Sequence, residues 1–336
     1  MIPHCIKRML PYTVALAFFC SGLPLLVHAE DAKSGDLGTV SLGWVKATAN
    51  LMAFVAPQLG SKYGLKIENY NFNNSNDIAT AMITGQINFG ILTPIHLMRA
   101  IDTNVDFVQI AGNARGNTAI VFSSKLGLAK NDWNGLKELI KKRKLRIASS
   151  RGSMNEFLCI AEFALHGIDV DKDVELTNVA SFAQHPQALR SGEFDIIFTI
   201  EPLASMVAAE GVGTVFNYPY DTPAGDLNTT WDVSSDWLKK NSLKVHAFVG
   251  LLVEAAKWLN TDKDAQLENS QKLTGLNPAI LNAAFANNRY DVHNGLQQMQ
   301  ELARLADERH FTSRNVADAL PKAVDDSFLK DYGVEK

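Results

Sequence analysis

The chain has 336 residues, enough for two packed domains, and its apolar fraction of 46% is ordinary for a globular protein. It carries 32 basic and 36 acidic residues, a formal net charge of −4. That balance excludes a nucleic-acid or anionic-membrane surface as partner, because both demand a basic face.

The first residues form an export signal rather than part of the fold. Lys7 and Arg8 give a positive start, Val14 to Cys20 an unbroken apolar core, and Val27-His28-Ala29 the small residues that a signal peptidase reads before Glu30. A membrane-spanning helix would need roughly 20 apolar residues in a row, and Ser21, Gly22 and Pro24 interrupt this run. Cys20 suggests a lipid anchor, but the bulky Phe18-Phe19 before it stands where small residues are wanted. Cleavage after Ala29 removes Lys7 and Arg8 and no acidic residue, so the net charge falls to −6. Cys5 and Cys20 leave as well. Cys159 is then alone, and the core must stabilise the fold without an internal disulfide. The mature protein is expected in the bacterial periplasm.

In chain order, Gly38 to Trp44 reads as a first strand, followed by a helix on Leu51, Met52, Val55 and Leu59. Leu65 to Tyr70 is a short strand, and Asn73 to Asp77 a cluster of cap residues before the helical face Ile78, Ala81, Met82. Gly85 stops that helix, Ile87 to Leu92 is a buried strand, and a short helix follows to about Ile101. Phe107 to Ala111 begins the next strand. A loop over Asn113 to Asn117 interrupts before Thr118 to Phe122. Lys130 to Lys144 is polar with an apolar face of Trp133, Leu136 and Leu139. Then come a strand at Leu145 to Ala148, the polar turn Ser149 to Ser153 and a helix striped by Met154, Phe157, Leu158, Ala161 and Leu165. Phe194 to Thr199 is a strand running into Glu201-Pro202 and a further helix. Thr214 to Phe216 leads back out. From Val245 to Leu259 the 3.6-residue spacing is kept closely.

One internal echo stands out. Ala81 to Pro94 and Ala188 to Thr199 each give a helix end, a glycine stop, one apolar residue, Asn88 or Asp195, then a buried strand ending on threonine. Glycine C-caps before strands are common in any α/β protein. The alternative is two similar lobes, with Thr93 and Thr199 at equivalent strand ends across a cleft.

The chemistry of an enzyme is missing. The histidines are scattered without HExxH or CxxC spacing, no GxSxG elbow, Walker loop or GxGxxG occurs, and Cys159 reads as a packed thiol. No cofactor or metal is called for. Instead, hydroxyl-bearing helix starts follow strands at Ser75, Thr93, Ser153 and Thr199. Each serves equally as a plain cap or as part of an anion site at a helix N-terminus. Ser153 is the strongest, since Ser150, Arg151 and Gly152 precede it: glycine admits close backbone approach and arginine pairs with a carboxylate or sulfonate. Arg115 and Asn117, in the expected loop, are further candidates, as is Trp44 at the end of the first strand. Tyr218, Tyr220 and Trp231, in the return segment, are further candidates to line a cleft, and Glu201 favours a helix N-terminus.

Ala81 to Asn88, Lys144 to Ser153, Ala188 to Pro202, Thr274-Gly-Leu276 and the Val245 to Leu259 helix, in this order and spacing, resemble the solute-binding proteins of ABC importers for sulfonates, nitrate and taurine. That group also includes thiamine-pyrimidine-precursor proteins. The resemblance implies an α/β, type II periplasmic-binding-protein fold of two lobes hinged around a ligand. It implies a discontinuous first lobe (30–121 and 224–336) and a second lobe (122–223). The ligand shell carried over is Trp44, Ser75, Thr93, Ser153 and Thr199, with Asn117 and Arg151 nearby. Asn88 stands where the group often has Asp, and the cysteine-rich motif of pyrimidine-synthesising relatives is absent. The expected partners are a small organic anion and an inner-membrane ABC permease, with the protein acting as a monomer. A neutral heterocycle such as a pyrimidine, a signalling partner in the membrane, or an enzyme on the same scaffold are the alternatives.

Overall fold

The computed structural model describes residues 35–335, so the expected signal segment lies outside the described residues. The chain opens with β1 (Gly38–Val45), α1 (Leu51–Leu59), β2 (Leu65–Phe72), α2 (Ser75–Ile83), β3 (Phe89–Leu92), α3 (Pro94–Asp102) and β4 (Phe107–Gly116). It continues through β5 (Thr118–Ser123), α4 (Trp133–Lys142), β6 (Arg146–Ser149), α5 (Met154–Leu165), α6 (Val170–Asp173), β7 (Glu175–Asn178), α7 (His185–Arg190), β8 (Ile196–Ile200), α8 (Leu203–Ala209) and β9 (Gly213–Asn217). It returns with β10 (Leu227–Ser234), α9 (Ser235–Lys240), α10 (Ser242–Thr261), α11 (Lys263–Thr274), α12 (Pro278–Phe285), β11 (Asn288–Tyr290) and α13 (Leu296–Glu308), then two short helical turns.

Two mixed sheets result. The first runs β11-β4-β10-β3-β1-β2 and the second β7-β6-β8-β5-β9. Within the first, β1 is parallel to β2 and β3, while β10 enters antiparallel between β3 and β4. In the second, β6 is parallel to β7 and β8, and β5 is antiparallel to β8. The helices bury one stripe each against these sheets, as their periodicity requires. On one face of the first sheet α10 lays down Val245, Phe248, Leu252 and Leu259, with Phe248 stacked on Phe89 at 4.2 Å. In the second lobe Phe122 and Phe216 stack at 4.0 Å beside Trp133. Cys159 is a buried free thiol.

Several expectations are revised. β4 continues through the stretch expected as a loop, so Asn113 and Arg115 are strand residues and the chain changes sheet at Asn117. β5 lies wholly in the second sheet, which moves the crossover upstream of the expected 121/122 boundary. Backbone pairing explains both: Leu227 and Thr229 of β10 hold Arg115 and Ala114 in register, and Gly116 and Arg115 face Asn288 and Arg289 of β11. β10 itself was not foreseen. Trp231, expected at a cleft, is fully buried in it, edge-on to Phe248. Thr199 sits inside β8 rather than starting a helix, and Ser75 is not a cap, because Asn74 accepts the Asp77 N–H instead. Among the described residues no helix is long and apolar enough to cross a membrane.

Candidate functional site

The site grows from the place where the chain passes between lobes. Asn117 adopts a left-handed φ of 71°, a region Asn enters more readily than most residues, and its side-chain oxygen lies 3.5 Å from the Thr48 hydroxyl. Its N–H donates to Asn287 O of the first lobe (2.5 Å), while its own carbonyl accepts the Glu201 N–H of the second (2.9 Å). The Thr118 hydroxyl accepts from Asn155 Nδ2 at 2.8 Å and from Asn228 Nδ2 at 3.0 Å. Asn155 belongs to the first turn of α5 and Asn228 to the returning strand, so one hydroxyl joins both crossovers to a helix N-terminus. The Tyr220 hydroxyl accepts the Thr118 N–H (3.0 Å) and lies 2.8 Å from Asn287 Oδ1.

In the first lobe, Thr93 caps α3, and its hydroxyl meets His96 Nδ1 at 2.7 Å; His96 Nε2 meets Asn76 Oδ1 at 3.1 Å. Burial, with Arg99 nearby, lowers the His96 pKa to about 3, so the ring is neutral. Asn76 can only accept at Oδ1, which places the ring proton on Nε2 and makes Thr93 the donor to Nδ1. This chain ties the N-terminal turns of α2 and α3 together without adding charge.

From α3, Arg99 reaches the second lobe. Its Nη1 donates to Gly152 O (2.7 Å) and its Nε to Phe311 O (3.2 Å), with the guanidinium 5.5 Å from the Phe311 ring centroid. Gly152 is the left-handed residue (φ 75°) of the Ser150–Ser153 turn. Its N–H donates to Glu156 Oε2 (2.6 Å), while the Ser153 hydroxyl accepts the Glu156 N–H (3.2 Å), a reciprocal cap at the start of α5. Arg151 pairs through Nε with Glu156 Oε1 at 3.0 Å. Burial raises the Glu156 pKa, and Gly152, Arg151 and Arg99 oppose that. Arg99, Arg151, Gly152, Glu156 and Phe311 line a cavity of about 440 Å³ at the edge of the interlobe seam. Behind it Phe157 of α5 packs edge-on to Phe311 at 4.9 Å, so the lobes share apolar contact.

The expected residues therefore divide. Thr93 belongs to a cluster with His96 and Asn76, the residue after Ser75; Gly152 and Ser153 belong to a second with Arg99 and Glu156; Asn117 belongs to a third at the crossover, with Asn287 and Glu201. Thr199 is fully buried near the end of β8, opposite Ala119, with no partner for its hydroxyl among the described residues. Trp44 is buried against Phe54 near the end of β1, its indole N–H likewise without an acceptor among the described residues. Arg115 does not join them. Its Nε binds Asp291 (2.7 Å), and its Nη1 binds Gln298 (2.5 Å) and lies 3.5 Å from Asp226, beside a separate cavity of about 650 Å³. Sequence reasoning missed Arg99, His96, Thr118 and Asn155. The visible signal for Arg99 was a lone cation in the otherwise apolar run Leu97-Met-Arg-Ala100.

The NMT1-like family model matches residues 34–274, and the chain belongs to that family. A stretch of 120 residues, 34% of this chain, is 34% identical to the bicarbonate-binding protein CmpA of Synechococcus, of which it covers 25%. The matches span between a quarter and two-fifths of the curated relatives' length. Among solved structures, the nitrate-binding protein NrtA of Synechocystis superposes with a TM-score of 0.79 at 15% identity, covering 89% of each chain. The alkanesulfonate-binding protein SsuA of Xanthomonas axonopodis gives 0.73 at 19%, covering 85% of this chain and 97% of that one. The fold is that of the periplasmic binding proteins.

Proposed function

We propose that this protein is the periplasmic solute-binding component of an ABC importer, taking a small anion into the interlobe seam and handing it to an inner-membrane permease. The observation that carries the reading is the Arg99–Gly152 bridge, which sets a cation from the last turn of α3 against the turn that opens α5, across the two lobes. Helix N-termini and an arginine together favour a bound anion. Relatives and neighbours named for bicarbonate, nitrate and alkanesulfonate support the same class. The shell is Trp44, Ser75, Thr93, Asn117, Gly152, Ser153 and Thr199, with Arg151 at the rim and Arg115 set aside as part of an ion-pair cluster. Lobe closure captures the solute and changes the surface shown to the permease, with no bond broken. The chain is proposed to be exported by its first 29 residues and to work as a monomer.

The neutral His96, together with uncharged hydroxyls and amides along the seam, also suits a neutral heterocycle such as a pyrimidine. A thermal-shift screen followed by calorimetry, using nitrate, bicarbonate, alkanesulfonates, carboxylates and pyrimidines, separates the two. Stabilisation by one anion class supports the proposal. Stabilisation by neutral compounds alone overturns it.

A further inference from the structure

Toward the C-terminal end of α5, away from the seam contacts of its first turn, Glu162 and the helix-capping His166 stand one turn apart, and Asp221 comes to them from the segment between β9 and β10. One side-chain ligand atom from each lies within 4.8 Å of the other two. Glu162 is fully buried; the Asp221 amide and carboxyl approach its carboxylate, yet neither oxygen has a partner in full hydrogen-bond geometry among the described residues. A carboxylate so placed is costly without a cation.

The separation of His166 Nε2 from Glu162 Oε1, 3.5 Å, is long for a hydrogen bond. Two ligands held at about 2.1 Å by one tetrahedral ion stand about 3.4 Å apart. The His166 ring is fixed by stacking on Trp133, with centroids 3.8 Å apart and planes within 10°. Its side chain is 30% exposed, which leaves a path for an ion. We infer that Glu162, His166 and Asp221 form a binding site for a divalent transition-metal ion of the zinc class. One imidazole with two carboxylates suits such an ion better than magnesium or calcium, which prefer all-oxygen shells.

The surroundings agree. Burial first, then the Asp221 charge, pushes the Glu162 carboxyl up to about 7 against the Asp221 amide, while burial and then Lys137 hold His166 down and Asp221 opposes them. A bound cation would favour both the ionised carboxylate and the neutral imidazole. Asp221 is also the neighbour of Tyr220, whose hydroxyl anchors the return crossover at Thr118. An ion here would fasten that crossover to α5.

The test is titration of the chelator-treated mature chain with Zn²⁺, and in parallel with Co²⁺ and Mg²⁺. The expected result is one Zn²⁺ per chain, a rise in melting temperature, a visible Co²⁺ band of a four-coordinate site, and no Mg²⁺ effect. His166→Ala and Asp221→Asn should each weaken Zn²⁺ binding roughly tenfold or more; metal-free melting should hold in Asp221→Asn and fall slightly in His166→Ala, which gives up the Trp133 stack. Both side chains reach solvent, and Asp221→Asn keeps the shape of the side chain, so it tests binding apart from any loss of the Trp133 stack. His293→Ala, at another His–Asp pair, is the control and should bind as before. Absence of stoichiometric Zn²⁺ binding, Mg²⁺ binding as strong as Zn²⁺, or binding that survives His166→Ala would overturn the inference.

Discussion

Arg99 of the first lobe donates to the carbonyl oxygen of Gly152 in the second, 2.7 Å away. Because Gly152 also gives its N–H to Glu156, the turn before α5 is held from both sides, by a cation on its carbonyl and a carboxylate on its amide. The exposed Arg151 guanidinium pairs with that same Glu156 and crosses no boundary.

The three arginines should separate in calorimetry with the anion found by screening. Arg99→Met removes a charge-assisted bond between lobes, an interaction of about 1.5–3 kcal/mol, so affinity should fall roughly tenfold or more. Arg151→Ala should weaken binding by less, and Arg115→Met should leave affinity alone while lowering stability. Equal losses for all three would contradict this ordering.

Thr199→Val tests the buried hydroxyl that has no partner among the described residues. The swap keeps the side-chain shape, so the melting temperature of the ligand-free protein should hold or rise, since an unpaired buried hydroxyl is unfavourable. If the hydroxyl serves the ligand, affinity should drop by about 1 kcal/mol, roughly fivefold. Lost stability with unchanged affinity would assign Thr199 to the fold alone.

Gly116→Ala addresses the crossover. Gly116 has φ 84°, and an added Cβ would collide with the Asn287 backbone carbonyl. Both effects destabilise, together by about 2–4 kcal/mol. Chemical denaturation should show the midpoint falling. An unperturbed midpoint would mean that the crossover yields more easily than its bonds to Asn228 and Asp226 suggest.

His96 gives an acid-side prediction. Its folded pKa, about 3, lies below the ordinary 6.5, so the unfolded chain binds the proton first. The stability it supports is fully present above about 6.5 and is lost as pH falls toward 3, at up to about 1.4 kcal/mol per pH unit. In His96→Gln, melting temperature should decline less steeply than in the parent between roughly pH 6 and pH 4. His185, also lowered by burial to about 4, acts in the same sense and remains in the variant.

Asp232 gives the opposite flank. Burial raises its carboxyl to about 7 against the single hydrogen bond from Thr230 (2.7 Å). A raised folded pKa contributes stability present below the unfolded value, near 3.8, and lost as pH rises through about 7. Asp232→Asn should therefore gain on the parent more at pH 8 than at pH 5, measured by thermal melting. Glu162 shares this window, so a residual alkaline decline is expected in the variant.

The elements with one clean stripe were legible from sequence: α5, α10 and the glycine-stopped helices before β3 and β8 all appear where periodicity put them. The lobe echo corresponds to a helix–strand unit in each sheet, but Thr93 follows β3 as the α3 N-cap while Thr199 lies inside β8. What stayed hidden depended on distant partners. Asn113 and Arg115 carry loop-like residue types, yet pairing with β10 and β11 makes them strand. β10 mixes Asn, Thr and Asp with Trp231 because its polar side chains meet buried partners such as Asn113 and Thr118, which no local pattern announces. Arg99 was passed over because its importance lies in a carbonyl 53 residues away.

The placement of β10 also orders the birth of the fold. All five strands of the second sheet have been synthesised once Asn217 is made, whereas β3 and β4 still lack the strand that belongs between them. Two open edges then wait on a segment made after a whole intervening lobe. The lobe that begins the chain is thus the one completed last.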